Sequence, residues 1–453
     1  MMRHIEEPAR AVPVVHECDI CVVGGSCTGV FAAVRAADLG ASVALIENHG
    51  FFGGVATAGL VSIWHSLADT TGSQRIIGGL TAEMIERLQR RGAAVLDANR
   101  PLAYATLNTA ELAIELDDLV RSRPRIRPFL HSRFVAAVGE AGRLSALIIE
   151  DKTGRRAIAA RYVIDATGDG DVLARSGLPT RRLGDLQPPT ACALIHGIDA
   201  VARCQPGFAL GAAVCDPSRP QALPRGCVWS AAVTGVPGLT MVAGTRVDHA
   251  DCSDADQLTQ AEMAARRQVR AMRDILRDHP GGEAVALAAL PATIGVRETR
   301  HAECLHTLTE MEVLDGVRFP DAIANGSYRV DIHHSDRPGL TFRYLDGREV
   351  YSVPGKPSVS GRWREHRLED PTFYQIPYRS LVPWGAVNVL TAGRLVDADR
   401  GAYGAIRVMV TCNQTGEAAG VAAALALRQD APVAAVDAAA LRQALADGGA
   451  VML

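Results

Sequence analysis

A glycine-rich turn near the start of the 453-residue chain carries the strongest chemical signal. It follows an apolar run, residues 19–23, that predicts a buried strand. The turn consists of Gly24, Gly25, Ser26, Cys27, Thr28 and Gly29. Small residues there let backbone N–H groups approach a pyrophosphate, and the dipole of the following helix favours its negative charge. Ser26 replaces the second glycine of the usual G-x-G-x-x-G pattern, so the turn predicts a dinucleotide site with one departure.

The elements around this turn are those that such a site needs. Residues 30–39 have helical spacing, Gly40 ends the helix, and residues 42–47 predict a second strand. A right-handed crossover places the two strands parallel and adjacent. Glu47 ends the second strand, in the range where an acid about 20 residues past the turn binds ribose hydroxyls. An adenine dinucleotide is therefore favoured over the alternative of a glycine-rich turn that binds nothing.

Three further segments resemble parts of FAD-binding flavoproteins. The residues concerned are Asn48, Gly53 and Gly54 after the second strand, Thr167 and Gly168 after residues 161–166, and Gly393 and Arg394 after residues 388–392. A predicted helix from about residue 413 to 427 adds Gly416 near its start, with its N-terminus directed at the flavin. With the turn, these segments resemble the FAD-dependent oxidoreductase family of the glutathione-reductase-like flavoprotein superfamily. The resemblance implies FAD as the cofactor and these residues as its contacts.

The fold that follows is α/β, with a Rossmann-like FAD-binding domain, an inserted β-meander and a second, mixed α+β substrate domain. The meander is predicted at residues 134–138, 144–150 and 157–160. Helices are predicted at residues 80–91, 109–121 and 257–278, while residues 335–375 predict an irregular excursion. The predicted domain ranges are 14–180 and 376–453 for FAD binding and 181–375 for the substrate.

Four residues are candidate catalytic groups. His65 follows the Gly-Gly segment and is a candidate acid/base or flavin-linking residue, with a backbone-bonded loop histidine as an equal alternative. His333, or the adjacent His334, is a candidate proton-transfer group, and Tyr378 is a candidate group on the substrate side. Arg297 lies close to Arg300, and such a pair suits either a carboxylate substrate or the flavin pyrophosphate. A surface or inter-domain ion pair is the alternative for the two arginines.

The resemblance implies hydride transfer between a small-molecule substrate and flavin N5, with a histidine or tyrosine handling the proton. A flavin monooxygenase-like enzyme that uses O₂ and a non-catalytic FAD-binding protein stay open as alternatives. A disulfide reductase is disfavoured because Cys27 stands alone in its loop. The only two lysines, Lys152 and Lys356, lie in loops that suit neither a Schiff base nor a phosphate-binding loop.

Composition limits the partners further. A net charge of −3 with no basic run argues against nucleic acid. The longest apolar run, residues 418–427, is about half of what a spanning helix needs, so no membrane partner is expected. Ten scattered cysteines, without a second pair to complete a metal site, and a charged first 15 residues predict a cytoplasmic protein without a bound metal. An oligomer is compatible with the sequence.

Overall fold

The computed structural model describes residues 3–97 and 103–453, so the first two residues of the N-terminal segment lie outside the described residues. The helices in this part of the chain are α1 Cys27–Asp38, α2 Gly79–Arg90, α3 Thr109–Arg121, α4 Asp171–Ser176, α5 Ile198–Cys204, α6 Leu210–Val214, α7 Ala255–Arg277, α8 Glu310–Leu314, α9 Arg400–Ile406, α10 Met409–Gln429 and α11 Ala438–Asp447. The strands are β1 Val14–Val23, β2 Val43–Ile46, β3 Ile63–Trp64, β4 Ala94–Asp97, β5 Tyr104–Leu107, β6 Ile126–Phe129, β7 Arg133–Glu140, β8 Arg143–Asp151, β9 Gly154–Asp165, β10 Thr180–Arg182, β11 Cys192–His196, β12 Trp229–Ala232, β13 Leu239–Ala243, β14 Ala286–Ala289, β15 Arg300–Ala302, β16 Ala322–Gly326, β17 Val330–His333, β18 Leu340–Arg343, β19 Arg348–Ser352, β20 Val359–Arg362, β21 Tyr374–Pro377 and β22 Val389–Thr391.

A seven-stranded sheet in the order β6-β2-β1-β9-β8-β7, with β22 beside β9, forms the centre of the molecule. Strand β1 is parallel to β2 and β9, and β22 is parallel to β9. Strands β7, β8 and β9 pair antiparallel as the expected meander. This confirms the α/β class with a Rossmann-like core. The meander's last strand is continuous over Gly154–Asp165, because residues 157–160 run directly into the strand that ends before Thr167.

Helices α1 and α10 pack unusually closely against each other. A Cβ atom on Gly416 would lie 2.1 Å from the backbone oxygen of Thr28, and one on Gly420 would lie 2.2 Å from that of Ala32. Only glycine allows this approach, so the two backbones are in direct contact. An ion pair between Arg35 and Glu417, with Nη2 and Oε2 2.6 Å apart, adds a buried polar link between the same helices.

Two four-stranded antiparallel sheets lie in the range predicted for the substrate domain. One has the order β12-β13-β11-β14 and the other β17-β18-β19-β20. The second sheet corrects the prediction that residues 335–375 are irregular, because β18, β19 and β20 all lie there. The sequence signal is weak because these strands are short and partly solvated; all four residues of β20 are exposed, so no apolar alternation marks it.

Strand β16 pairs antiparallel with β21, and β16 also packs against α10. Strand β16 lies in the predicted substrate domain, while its partner β21 crosses the predicted boundary at residue 375 between that domain and the C-terminal FAD-binding part. The three domain ranges stay a prediction. Helix α3 begins and ends as predicted, while α10 begins at Met409, four residues earlier than predicted. Among the described residues no helix is both long and apolar enough to cross a membrane.

Candidate functional site

The glycine-rich turn is built around backbone contacts that exclude side chains. A Cβ on Gly24, whose φ is +102°, would lie 2.4 Å from the backbone oxygen of Ala166, and one on Gly29 would lie 1.8 Å from that of Gly24. Ser26 is the N-cap of α1, but its side chain makes no capping hydrogen bond. The first N–H groups of α1 are therefore not capped by this side chain, as the prediction of a pyrophosphate at this turn requires.

Glu47 follows β2 at the same edge of the sheet and is buried, with 6% of its surface exposed. Its Oε2 accepts a hydrogen bond from the backbone N–H of Gly25 at 2.7 Å, and its Oε1 accepts one from the N–H of His49 at 2.7 Å. A side-chain hydrogen bond to Glu47 raises the pKa of His49. The carboxylate thus lies against the turn, next to the exposed Asn48, where a ribose-binding acid is expected.

The Gly-Gly segment packs directly onto the turn. Gly53 forms an isolated parallel β-bridge with Ser26, and a Cβ on Gly54 would lie 2.6 Å from the Cβ of Ser26. The neighbouring thiol of Cys27 is buried, and burial raises its pKa to about 12. This thiol is therefore protonated at neutral pH, which agrees with the sequence argument against a disulfide reductase.

The two later flavin-like segments meet at the ends of β9 and β22. A Cβ on Gly168 would lie 2.7 Å from Nη2 of Arg394, and Arg394 forms an ion pair of 3.0 Å with Asp169. The Oγ1 of Thr167 donates to Asp165, which fixes the loop, and the backbone N–H of Gly393 donates to a threonine on α10. Nη1 of Arg394 is buried without a partner in the described part of the chain. Because β1, β2, β9 and β22 are parallel, all these segments lie at one edge, as a dinucleotide site requires.

Gly416 is placed differently from the prediction. Because α10 begins at Met409, Gly416 lies about two turns inside the helix and faces α1. Its role is close packing against Thr28, which corrects its assignment as a cofactor contact. Val408 and Met409 at the start of α10 line a cavity instead, so the positive end of this helix dipole points there.

That cavity has a volume of about 1240 Å³ and lies beside the flavin-like segments. Of the predicted residues it brings together His65, Arg297, His333 and Arg394. Tyr378 is not among its lining residues. The Tyr378 side chain is buried, and its hydroxyl donates to the backbone oxygen of Val433 at 2.7 Å. Tyr378 therefore acts in packing, and we do not retain it as a catalytic candidate.

Asp331 organises the polar end of the cavity. Its Oδ2 accepts hydrogen bonds from the hydroxyl of Tyr328 at 2.9 Å and from the guanidinium of Arg407 at 3.3 Å. Its Oδ1 lies 3.4 Å from Nε2 of His333. Burial raises the pKa of Asp331, but its interaction with His333 and the positive charges of Arg407 and Arg329 outweigh that effect and hold the pKa well below its usual range. Asp331 is therefore ionised at neutral pH.

The two cavity histidines are neutral at neutral pH. Burial, followed by the positive charge of Arg329, lowers the pKa of His65 to about 4. Burial and the charge of Arg297 lower the pKa of His333 to about 4. The His65 ring meets the ring of Tyr328 edge-on, with centroids 4.8 Å apart. A neutral imidazole has a free lone pair, so both side chains can accept a proton.

The predicted arginine pair is separated in the structure. Nη1 of Arg297 donates to the backbone oxygen of Pro188 and to Oγ1 of Thr190, each at 2.6 Å, and its side chain lines the cavity. Burial and the charge of Arg407 lower the pKa of Arg297 to about 10. Arg300 instead donates to the backbone oxygen of Asp169 at 2.9 Å, outside the cavity lining.

Four residues at the polar end of the cavity were not assigned a role from the sequence. They are Tyr328, Arg329, Asp331 and Arg407. The alternation of strand side chains places Asp331 and His333 on the same face of β17, a signal that could have paired them. No local pattern connects them to Arg407, which lies between α9 and α10.

The family model described as FAD dependent oxidoreductase matches residues 19–445. No curated protein matches the chain.

Similar solved structures cover much of the chain at low identity. A geranylgeranyl bacteriochlorophyll reductase-like protein from Thermoplasma acidophilum is 11% identical, with 95% of this chain and 82% of that chain covered and a TM-score of 0.47. The p-nitrophenol 4-monooxygenase of Pseudomonas putida is 13% identical, with 64% and 70% covered and a TM-score of 0.40. PqsL from P. aeruginosa, in complex with 2-aminobenzoylacetate, is 12% identical, with 95% and 92% covered and a TM-score of 0.42. At these TM-scores, the similarities support no inference about reaction or substrate.

Proposed function

Because this chain belongs to the family of FAD-dependent oxidoreductases, we propose that it transfers a hydride between a small-molecule substrate and flavin N5. The observation that supports this reaction is the joining, in one cavity, of the flavin-side residue Arg394 with two neutral histidines. When a hydride leaves a carbon atom that carries an O–H or N–H group, the proton of that group is also released, and a neutral histidine can accept it.

FAD fits the residues that the structure provides. The pyrophosphate would lie on the turn between Gly24 and Gly29, where no Cβ obstructs the backbone, and Glu47 would bind the ribose. Arg394, which lies against Gly168 and lines the cavity, would lie beside the cofactor. The chemistry that FAD supplies when bound is the acceptance or donation of a hydride at flavin N5.

His333 is the proton acceptor in this proposal. Its Nε2 lies 3.4 Å from the ionised Asp331, so the imidazolium that forms on proton uptake gains a neighbouring negative charge. Tyr328 and Arg407 hold that carboxylate in place through their own hydrogen bonds. His65 has no carboxylate partner among the described residues, and we assign it to substrate contact.

The test is stopped-flow reduction of the bound flavin under anaerobic conditions, with pools of alcohols, amines and hydroxy acids. We expect at least one pool to bleach the flavin and His333→Gln to slow that step by about 10²–10⁴-fold while FAD stays bound. His306→Gln, which changes a histidine outside the cavity lining, is the matched control. Oxygenated products that form only with O₂ and an external reductant would instead identify a monooxygenase-like enzyme, and flavin that no pool reduces would contradict the proposed reaction.

We further propose that the chain belongs to the glutathione-reductase-like superfamily of flavoproteins, which the flavin-like segments favour. All ten cysteines are free thiols, which supports a reducing compartment such as the cytoplasm.

A further inference from the structure

The polar end of the cavity carries more positive than negative charge. Arg297, Arg329 and Arg407 line it together with a single carboxylate, that of Asp331. Within residues 3–97 and 103–453, Arg407 pairs with Asp331 at 3.3 Å, while neither Arg297 nor Arg329 forms an ion pair. Because both cavity histidines are neutral, two arginine charges remain without a counter-charge.

Two of these arginines carry a buried N–H group without a partner in the described chain. The guanidinium of Arg329 lies over the ring of Phe342, 3.8 Å from its centroid, and its Nε is buried without a partner in the described chain. The Nε of Arg407 is likewise unpartnered there. A partly buried cation is costly unless a negative group approaches it, so the site is suited to an anionic ligand. Arg394 adds nothing to this surplus because Asp169 balances it.

A second part of the cavity lining is apolar and extends to the protein surface. Trp229 and Val233 lie on or beside β12, and Val61 and Ile63, from the segment around β3, line the cavity with them. At the rim, Val95 is 57% exposed and also lines the cavity. Exposed apolar surface continuous with an apolar cavity wall is typical of a ligand-binding surface.

The hairpin loop that forms this wall, residues 233–238, is fixed in place. Oγ1 of Thr234 donates to the backbone oxygen of Thr106 at 3.2 Å, and Nδ2 of Asn108 donates to the backbone oxygen of Thr234 at 3.2 Å. The wall is thus held against β5 before a ligand arrives, which lowers the entropic cost of binding.

We propose that the substrate is a carboxylic acid with an extended apolar body. Its carboxylate binds between Arg297, Arg329 and Arg407, and its body lies against the wall formed by β12 and the loop at 233–238. The planar carboxylate matches the forked N–H groups of guanidinium, and the apolar wall favours a hydrocarbon body over a heavily charged ligand. This inference rests on the proposed function, since it names the substrate class of the same cavity.

The test compares three probes of similar size on the FAD-loaded protein: 4-phenylbutanoate, 4-phenylbutanamide and 3-phenylpropylphosphonate. Calorimetry and the shift of the flavin absorbance report binding without turnover. We expect the carboxylate to bind on the order of tenfold or more tightly than its amide, since the two differ in charge but little in shape. Equal dissociation constants for this pair would overturn the proposal, as would a phosphonate that binds tenfold more tightly than the carboxylate.

Variants locate the binding site of the carboxylate. Arg329→Gln should reduce the preference for carboxylate over amide to less than about threefold, and Arg329→Lys should restore part of it. Arg203→Gln, on an exposed face of α5, is the matched control and should keep the full preference. A preference that survives both Arg329→Gln and Arg297→Gln would show that the carboxylate binds elsewhere.

The two proposals fail in different ways. A flavin that is reduced by some pool, in a protein without carboxylate preference, would refute the substrate class and leave hydride transfer standing. A carboxylate preference in a protein whose flavin no pool reduces would support the anion site and refute hydride transfer.

Discussion

The cofactor edge, which is the edge of the central sheet where the predicted FAD contacts lie, and the cavity proposed for the substrate are built in contrasting ways. At the cofactor edge the contacts are made by backbone, and glycines such as Gly24 and Gly29 are required because a Cβ would collide with a neighbouring carbonyl. In the cavity the contacts are made by side chains from separate elements: His65 near β3, Asp331 on β17, and Arg407 between α9 and α10. The first is specified by residues adjacent in sequence, and the second by the packing of distant elements.

This difference explains why the cofactor could be named and the substrate could not. A turn that needs no Cβ at several neighbouring positions leaves a short, recognisable pattern. An Asp-Tyr-Arg-His network assembled from separate segments leaves none, because each residue type has many other uses. Substitutions can test this difference. Those in the turn should change FAD retention, and those that remove charge in the cavity should change the rate of flavin reduction.

The largest effect is expected at the turn. Ser26→Val places a β-branched side chain on the residue whose Cβ already lies against Gly54, and we expect it to abolish FAD retention. Ser26→Gly restores the usual pattern and should keep FAD with at most a modest change in affinity. Flavin content per mole of purified protein is the measurement. A fully yellow Ser26→Val protein would refute the placement of the pyrophosphate on this turn.

The next effect is expected at Asp331. Asp331→Asn removes the charge next to His333 while keeping a side chain of the same size, and we expect flavin reduction to slow by about 100-fold or more. FAD content should be unchanged, because Asp331 lies outside the cofactor edge. As a positioning residue, Asp331 should also affect the pH profile: the apparent pKa of the step should fall below that of the unmodified protein. An unchanged rate and profile would show that the pair is only structural.

A smaller effect is expected at Glu47. Glu47→Ala removes an acceptor that binds the N–H of Gly25 at 2.7 Å and that the ribose would use. The loss of one charged hydrogen bond costs about 1.5–3 kcal/mol, or one to two decades in FAD dissociation constant. Flavin reduction in the FAD-saturated variant should be close to normal. An unchanged dissociation constant at equal thermal stability would remove Glu47 from the site.

The smallest effect is expected from pH in the neutral range. The charges that face His65 and His333 are Asp331 and the arginines 297, 329 and 407. Burial and the arginine charges outweigh the opposite effect of Asp331 and lower both imidazole pKa values to about 4. Flavin reduction should therefore be nearly constant from pH 6 to 8 and fall as the pH approaches 4. Stability should follow the same direction, because the unfolded chain binds these protons below about pH 6.5 and the folded chain does not. A rate that rises below pH 6 would contradict neutral histidines.

The sequence predicted the fold best where one element could be judged by itself. The β1-α1-β2 unit, the meander and α3 followed from periodicity and turn residues, and they are confirmed. The sheet β17–β20 was missed because its strands are short and partly solvated, and β20, whose four residues are all exposed, has no buried face to mark it. Gly416 was misplaced because an alanine-rich helix gives no sharp N-terminal signal, and the Val408 cap that starts α10 makes no side-chain hydrogen bond.

In the candidate site, the sequence identified single residues but not which of them lie together. His65, Arg297 and His333 were selected by position or residue type, and all three line one cavity. Tyr378 was selected on the same grounds and lies in the core. Whether a tyrosine on a short segment faces a cavity or a carbonyl such as that of Val433 depends on long-range packing, which a local pattern does not contain.

The contact between α1 and α10 also sets an order of events during synthesis. Arg35 and Glu417 are 382 positions apart, yet the backbones around them touch. The helix that follows the glycine-rich turn therefore lacks its packing partner until α10 has left the ribosome. Cofactor capture should be a late step, and nascent chains that stop before α10 should be colourless, however well their first strands have paired.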